Sequence, residues 1–464
     1  MKRLLFVPAA ALLVAAGTLT LPVRAQQAPT ASAEHTPADA ALVAKARAIH
    51  DKVITLDTHV DIGVNNFTAT QNYTQNLQTQ VNLPKMLSGG LDAAFLIVYV
   101  GQGRGEDAFT KAGYDAAYKQ ASDKFDAIHR LAKEIAPDKI GLALTSADVR
   151  SLAAAGKKVA LIGVENGYPL GDETTAVARV TEFQTRGARY LSLAHNGHSQ
   201  LADSNTGEGD GVWLHKGLSP LGKMVITELN RVGIMVDISH PSKEANLQAM
   251  SLSKAPVIAS HSGSRAMHDH SRNLDDEQLL ALKQNGGVVQ AVAFANYVKV
   301  TPPSAERTAA LAKLAEEYKV PVASLGRGGR GRGGAGGGRA GAGGAAAGAA
   351  GGAQAPALTD EQRAEMQSKL DELNMKFPAP PRANVKDFVE HIDYIVKKIG
   401  IDHVGISSDF DGGGGVDGWN NASETFNVTL ELVRRRYTEA QIGQIWSGNL
   451  LRVMDQVQKA AQVR

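Results

Sequence analysis

Two patterns in the sequence predict an α/β fold, and specifically a (β/α)8 TIM-like barrel. Apolar segments of strand length alternate with amphipathic segments of helix length, which favours a parallel sheet covered by helices. Side chains able to bind metal ions follow several of these strands, at the end where such barrels carry their functional groups. The eight candidate strands are residues 53–56, 93–100, 159–164, 190–193, 233–238, 257–260, 287–292 and 403–407. The helical patterns between them include residues 114–135, 176–186, 222–231 and 275–284.

The composition narrows the class of protein. The chain has 464 residues, 43% apolar and 21% charged, which is typical of a soluble globular protein with a large core. Its net charge of +2 gives no reason to expect nucleic acid or an anionic membrane as a partner. Cysteine is absent, so disulfides and thiolate chemistry are excluded, and any metal must be held by histidines and carboxylates.

The N-terminus has the pattern of an export signal. Lys2-Arg3 precedes the apolar segment 4–21, and Val23-Arg24-Ala25 fits a cleavage site. We therefore expect residues 1–25 to be a signal peptide that is cleaved near Ala25, and the mature protein to be periplasmic or secreted. An uncleaved membrane anchor is the alternative, since the segment approaches the ~20 residues that span a bilayer. Stable membrane insertion is not expected.

The domain organisation follows from composition along the chain. Residues 26–39 are rich in Ala, Pro, Ser and Thr and predict a disordered leader. The catalytic barrel domain is expected at 40–464, with a disordered Gly/Ala/Arg-rich insertion at 325–356 between the seventh and eighth strands. Helical patterns flank the insertion at 305–318 and 360–375. A mobile lid is one hypothesis for it and an RNA-binding arm another, whereas export favours a flexible linker.

Five residues form a candidate metal site. His59 and Asp61 are two positions apart, so in an extended strand both side chains face the same side. Glu165, His240 and His261 each follow an apolar strand, and the carboxyl ends of barrel strands meet at one face. The five ligands suffice for two metal ions that share one carboxylate. Without thiolates the set suits zinc, with manganese, cobalt or iron as alternatives.

Three further residues could complete a hydrolytic site. Two metals about 3.5–4 Å apart can bring the pKa of a bridging water toward ~7 and supply hydroxide. Asp409 follows the eighth strand and is the candidate general acid/base. His195 could stabilise an oxyanion, and Arg272 could bind a carboxylate. Each could instead be structural, and Asp409 or the neighbouring Asp411 could cap a turn or bind calcium.

The sequence resembles the membrane dipeptidase (renal dipeptidase) family of dinuclear zinc peptidases from about residue 54 to residue 454. Its central motif, Asp57-Thr58-His59-Val60-Asp61, is similar to the family's Asp-x-His-x-Asp. Further matching segments are 163–165, 217–222, 228–233, 237–240, 255–262, 271–273, 409–412 and 449–453.

The resemblance implies a role for each candidate residue. His59 and Asp61 would bind one zinc ion, and the other zinc ligands would be His240 and His261, with Glu165 bridging the two ions. Asp409 would move a proton between water and the leaving amine. His195 would stabilise the tetrahedral oxyanion, and Arg272 would hold the C-terminal carboxylate. The substrate would be a dipeptide, and the nucleophile a hydroxide between the two zinc ions.

The chain also departs from the family. The cysteines and lipid-anchoring tail of animal members are absent, so neither a disulfide-linked dimer nor such an anchor is expected, while a homodimer of another kind stays open. Asn166-Gly167-Tyr168 and His198 differ from the usual residues and bear on substrate preference. Two other functions stay open: a metal-dependent amidohydrolase for N-acyl amino acids or lactone-like substrates, and a non-catalytic periplasmic protein that binds metal or solute.

Overall fold

A computed structural model describes residues 37–103, 108–325 and 358–462. The chain divides into two units, Met1–Ala41 and Leu42–Arg464, and the second contains every strand that the structure describes. The strands are β1 Leu56–Asp61, β2 Ala93–Tyr99, β3 Ile140–Leu142, β4 Lys158–Glu165, β5 Ala188–Ser192, β6 Met235–Asp237, β7 Ile258–Ala259, β8 Val288–Val292 and β9 Val404–Ser407.

Helices follow or separate these strands along the described residues. The α-helices are α1 Pro37–His50, α2 Leu83–Gly89, α3 Lys111–Arg130, α4 Ser146–Ala154, α5 Ala176–Thr185, α6 Gly207–Asp210, α7 Pro220–Val232, α8 Lys243–Leu252, α9 Asp276–Asn285, α10 Ala295–Val298, α11 Ala305–Glu317, α12 Val322–Leu325, α13 Asp360–Lys376, α14 Val385–Ile399, α15 Phe426–Arg434, α16 Glu439–Gly443 and α17 Asn449–Gln462. Short 3-10 helices lie at Val64–Asn66, Tyr168–Leu170, Ile401–His403 and Ala422–Glu424, and π-helical turns at Leu131–Ile135 and Gln444–Gly448.

Eight parallel strands form a nearly closed barrel, which confirms the predicted fold class. Neighbouring strands pair in the order β1-β2-β4-β5-β6-β7-β8-β9. The two ends of this sheet meet where the backbone N–H of Asp61 donates to the carbonyl oxygen of Phe410 at 2.9 Å. The carboxyl ends of all eight strands therefore surround one opening, as a candidate site at that face requires.

Helix α17 covers the opposite end of the barrel. Its apolar residues Leu450, Val453 and Val457 are buried in one cluster with Leu56 and Val288, which lie at the starts of β1 and β8. Burial of this apolar face stabilises the helix, since most helical stability in proteins comes from such packing. Apolar side chains therefore fill the amino end of the barrel interior, whereas its carboxyl end is polar.

Two differences from the predicted strands have physical reasons. The sequence predicts the first strand at 53–56, but β1 runs from Leu56 to Asp61 and contains the His-x-Asp pair instead of preceding it. A polar residue, Asp57, continues this strand because its carboxylate accepts backbone hydrogen bonds, as described below. The pattern also misses β3, whose three residues pair with the start of β4 and are too short to show a period.

Several predictions fall on parts of the chain outside the described residues. The signal peptide at 1–25 lies there, as do the insertion beyond Leu325 and the leader up to residue 36. The remaining leader residues, 37–39, belong to α1 in the structure, so there the leader is helical and the prediction is wrong. In the part of the chain that the structure describes, no helix combines the length and apolar character needed to cross a membrane.

His391 on α14 supports the loop that follows β7. Its Nδ1 accepts a hydrogen bond from the backbone N–H of Ser264 at 3.0 Å, so the hydrogen on Nε2 donates to the carbonyl oxygen of Val298 at 2.9 Å. Burial lowers the pKa of His391 to about 4, since the imidazole is held in its neutral form. This loop also carries Arg272, so the neutral histidine helps to fix a candidate site residue.

We expect acid to destabilise the fold through His391. The unfolded histidine binds a proton near pH 6.5 and the folded one only near pH 4, so the free energy of unfolding falls as the pH drops through this window. Between pH 7 and pH 5 the loss at this residue should be roughly 2 kcal/mol. Urea denaturation at both pH values should therefore show a smaller pH effect in His391→Gln than in the wild type. An equal pH effect in both proteins would contradict the assignment.

Candidate active site

The Glu165 carboxylate lies at the centre of the carboxyl face of the barrel. Its Oε1 is 2.9 Å from His240 Nε2 and 3.3 Å from His261 Nε2, and its Oε2 is 3.6 Å from His59 Nε2. His195 Nε2 lies 3.7 Å from Oε1. Glu165 ends β4, and the histidines lie within β1 or a few residues after β5, β6 and β7. The structure thus brings together side chains from five strands, as the sequence pattern predicts.

Ligand-type atoms form three close groups among the described residues. Within each group the atoms lie within 4.8 Å of one another. The groups are His59, Glu165 and His261; Glu165, His195 and His240; and His59, Asp61 and Asp409. Because Glu165 and His59 each belong to two groups, the three are continuous. All predicted metal ligands are in this cluster, together with the two residues predicted for proton transfer and oxyanion stabilisation, whose roles stay predictions.

Hydrogen bonds fix the tautomer of His59. Its Nδ1 lies 2.9 Å from the hydroxyl of Tyr190, and that hydroxyl donates to the carbonyl oxygen of Thr58 at 3.0 Å. Since the hydroxyl has only one hydrogen, it accepts the hydrogen from Nδ1. Nε2 of His59 therefore points into the cluster, where it is buried without a hydrogen-bond partner. Burial acts to lower the pKa of this ring, but the Glu165 carboxylate raises the pKa to about 9, so a metal ion that binds Nε2 displaces a proton.

The other two histidines near Glu165 have the same tautomer. The Ser260 hydroxyl donates to Asp237 Oδ2 at 2.6 Å, so it accepts from Nδ1 of His261 at 2.8 Å. The Nδ1 of His240 donates to Asn196 Oδ1 at 3.1 Å. Such partners on the far nitrogen are the usual means of orienting a metal-bound imidazole.

The resulting donor set fits metal ions. His240 Nε2 and His261 Nε2 lie 2.9 Å apart, although the hydrogen of each ring is committed to Nδ1. Two facing lone pairs repel each other, and a shared cation removes that repulsion. Three imidazoles and several carboxylates, with no sulfur, make a nitrogen and oxygen set typical of zinc and related divalent ions.

The electrostatics of the cluster are those of a cation site. Burial would raise the pKa of Glu165, but His195 and His59 hold it well below its usual range, so this carboxylate is ionised. Burial raises the pKa of Asp409 to about 8, with His59 opposing and the Asp61 and Glu165 carboxylates adding to the rise. Burial also lowers the pKa of His195 to about 4, which keeps that ring neutral. Repulsion among buried carboxylates is relieved when a divalent cation binds.

Two buried aspartates hold the ends of the strands that carry the ligands. Asp57 Oδ1 accepts from the backbone N–H of His59 at 3.2 Å and of Ser408 at 2.9 Å, across the gap between β1 and β9. Asp237 Oδ1 accepts from Ser239 and Ser260 in the same way, across the gap between β6 and β7. These carboxylates replace backbone pairing where the strands separate.

The backbone is unusual beside the ligands. His240 and Asp409 have φ values of 80° and 56°, in the left-handed region that ordinary residues rarely adopt. Gly412 leaves space for the acidic side chains, since a Cβ there would lie 2.3 Å from both Asp61 Oδ2 and Asp409 Oδ1. Gly412 thus makes room for the carboxylates themselves.

Asp411 has a structural role. Its two carboxylate oxygens accept from the backbone N–H groups of Gln80 at 2.8 Å and Val81 at 3.2 Å. It therefore ties the loop after β9 to the segment before α2. The sequence left open whether Asp409 or Asp411 caps a turn or binds calcium. The hydrogen bonds of Asp411 fit the first of these roles.

Arg272 is a buried cation without a carboxylate partner among the described residues. Its Nη2 donates to the carbonyl oxygen of His261 at 3.1 Å and its Nη1 to Ser262 Oγ at 3.4 Å, while Nε has no partner. The guanidinium carbon also lies 5.5 Å from the ring centroid of Tyr297. A buried guanidinium with donors to spare suits an incoming carboxylate.

Sequence reasoning missed the residues that orient the ligands. Tyr190, Ser260 and Asn196 each bind an Nδ1, but Tyr190 lies in an apolar strand pattern and resembles core. The usable signal was the polar residue beside each ligand, as in Ser260-His261.

We expect Tyr190→Phe to weaken metal binding, because His59 Nδ1 loses its acceptor and the ring its fixed orientation. The loss in affinity should be about 10–100-fold, the usual range for such partners. Competition titration with a metal chelator measures it. Tyr73→Phe is the matched control, since the buried Tyr73 hydroxyl has no hydrogen-bond partner. Equal metal affinity in both variants would show that the Tyr190 hydroxyl does not orient a ligand.

Comparison with known proteins assigns the family. The family model described as membrane dipeptidase (peptidase family M19) matches residues 43–464. Dipeptidase tcpJ of Claviceps purpurea is 28% identical over 389 residues, which cover 84% of this chain and 72% of tcpJ. The crystal structure of the probable dipeptidase PvdM from Pseudomonas aeruginosa superposes with a TM-score of 0.71 at 30% identity, covering 91% of this chain and 100% of PvdM.

A more distant structure shares the fold. It is a metallo peptidase from Rhodobacter sphaeroides liganded with a phosphinate mimic of the dipeptide L-Ala-D-Ala, with a TM-score of 0.60 at 19% identity, over 87% of this chain and 99% of that one. The family match includes every candidate site residue, so the resemblance noted in the motifs is confirmed. The chain belongs to the membrane dipeptidase family, a family of metal-dependent dipeptidases.

Proposed function

We propose that this metal-dependent dipeptidase uses two zinc ions and acts outside the cytoplasm on dipeptides with a free carboxyl terminus. The observation that carries the proposal is the convergence of three histidine Nε2 atoms on the Glu165 carboxylate, beside a buried guanidinium that has no carboxylate partner among the described residues. Export is supported by Lys2-Arg3 and the apolar segment 4–21, and a mature N-terminus at Gln26 would support it further.

The ligands divide into two sets around the shared carboxylate. His59 and Asp61 would hold one zinc ion, and the imidazoles of His240 and His261 the other, with Glu165 between them. When bound, zinc supplies Lewis acidity, which polarises an amide carbonyl and makes water more acidic. The protein contributes the orientation of each ligand and a buried site in which charges interact strongly.

The position of Arg272 limits the length of the substrate. Because its Nη2 donates to the carbonyl of His261, the guanidinium lies directly beside a predicted metal ligand. A carboxylate bound there can be separated from the metal centre by little more than one residue. This arrangement selects a peptide whose scissile bond is its last, and a dipeptide is the smallest such substrate.

Asp409 and His195 belong to different groups of the described cluster. The Asp409 carboxyl groups with His59 and Asp61, where it could take a proton from water and return it to the leaving amine. The neutral ring of His195 lies near His240, with ring centroids 4.1 Å apart, and could donate to the oxygen of the tetrahedral intermediate.

A library of dipeptides that includes D-residues tests the activity itself. The zinc-loaded protein should hydrolyse some of its members, and chelation should abolish turnover because the ligands then hold no Lewis acid. Restored zinc should recover the activity, and elemental analysis of the recovered protein should approach two zinc ions per chain. Turnover that survives complete metal removal, or hydrolysis of no dipeptide with zinc present, would overturn the proposal.

Arg272→Met tests carboxylate recognition. Removing one partner of a buried charge pair typically costs about 2–5 kcal/mol, so kcat/KM for dipeptides should fall by about 30-fold or more. The wild type should also prefer a free dipeptide to its C-terminal amide, and the variant should not. Arg265→Met is the control, because Arg265 lies in the same loop and pairs with Glu208 and Asp269. A preference for the free acid that persists in Arg272→Met would favour an amidohydrolase that recognises its substrate elsewhere.

A further inference from the structure

Lys124 is a partly buried cation at the site that the mechanism above does not use. It lies on α3, and its neighbours Ala121, Phe125 and Ile128 on that helix are fully buried. Its Nζ lies over the ring of Tyr99, 5.6 Å from the centroid. Tyr99 is the last residue of β2, so the ammonium is held at the carboxyl face of the barrel.

The ammonium of Lys124 has no ion-pair partner among the described residues. Two other lysines of α3, Lys111 and Lys119, each pair with an aspartate one helical turn further on. The position one turn after Lys124 is Ile128, which offers no charge. Within the described part of the chain, the ammonium can therefore accept a further anion.

The charges that face Lys124 belong to the active site. Burial lowers its pKa, and the carboxylates that act against this effect are Asp61 and Glu165. Tyr99, beneath the ammonium, is itself 4.5 Å from the ring of His195, measured between centroids. Lys124 therefore borders the same cleft as the metal ligands, on the side of β2.

The position of β2 places Lys124 across the barrel from Arg272. In the strand order β1-β2-β4-β5-β6-β7-β8-β9, β2 and β7 are four places apart among eight and so face each other across the opening. Arg272 belongs to the loop after β7. A dipeptide with its C-terminal carboxylate at Arg272 and its amide at the metal ligands extends its N-terminal residue toward β2.

We propose that Lys124 binds the side-chain carboxylate of an acidic N-terminal residue, which makes the protein selective for dipeptides that begin with aspartate or glutamate. This inference rests on the proposed dipeptidase function and names its preferred substrate class. A neutral side chain would add no charge interaction with the ammonium, and a basic one would be repelled by it. Partial burial strengthens both effects, because solvent screens the charges less.

Matched substrates and variants test the selectivity. We expect the zinc-loaded wild type to show a kcat/KM for Glu-Ala about fivefold above that for the isosteric Gln-Ala, and lower values for Lys-Ala, as one modest ion pair predicts. In Lys124→Met, which keeps an apolar stem, the ratio of Glu-Ala to Gln-Ala should fall to about one or below. In Lys124→Glu the order should invert in favour of Lys-Ala. Inhibition constants of phosphinate analogues of Glu-Ala and Gln-Ala provide the same ratio without turnover.

A second lysine of α3 provides the control for the Lys124 variants. Lys119→Met removes an exposed lysine from the same helix and should leave the ratio at the wild-type value. An unchanged ratio in Lys124→Met, or an equal proportional loss on all three dipeptides, would overturn the inference and leave the dipeptidase function intact. Failure of the wild type to cleave any of the dipeptide library would instead contradict the proposed function. Circular dichroism of each variant shows whether the fold is retained.

Discussion

The ionised carboxylate of Glu165 is the constraint on which the rest of the site depends. A buried charge is stable only when opposite charge or hydrogen-bond donors surround it. The Nδ1 hydrogens of the three nearest imidazoles are committed to Tyr190, Ser260 and Asn196, so the Nε2 atom of each ring faces this carboxylate. A metal ion bound by these Nε2 atoms would supply the positive charge that the carboxylate requires.

The same constraint explains the strained backbone near the cluster. Non-glycine residues at positive φ cost about 1–3 kcal/mol each and persist only where the surrounding structure fixes them. At His240 the fixing groups are Asn196 on the ring and the hydrogen bonds of Asp237 to the segment just before it. At Asp409 the glycines that follow allow the chain to turn so that two carboxylates can lie close together. The backbone strain at these two residues therefore accompanies the positioning of their side chains in the site.

Much of the fold and the ligand set could be predicted from the sequence, because both leave periodic or local signals. Eight apolar segments in the sequence indicate the strands of the barrel, and each predicted metal ligand follows one of these segments. The strand at β3 gave no signal, since three residues are too few to show alternation. The end of β1 was misplaced because Asp57 interrupts an apolar run, although its carboxylate bonds to the backbone of Ser408, 351 positions away. Lys124 could not be found either, because only the packing of α3 over β2 brings a lysine from that helix to the cleft.

The joint between β1 and β9 links metal binding to the folding of the whole chain. Asp57 and Ser408 bond across this joint, and the group of His59, Asp61 and Asp409 forms only when it is closed. Bringing such distant segments together is entropically costly, and pairings of this kind form late and slowly in folding. A cation that binds the closed barrel better than the open chain shifts the equilibrium toward closure by mass action. The ions required for catalysis would then also determine how firmly the first and last strands stay joined.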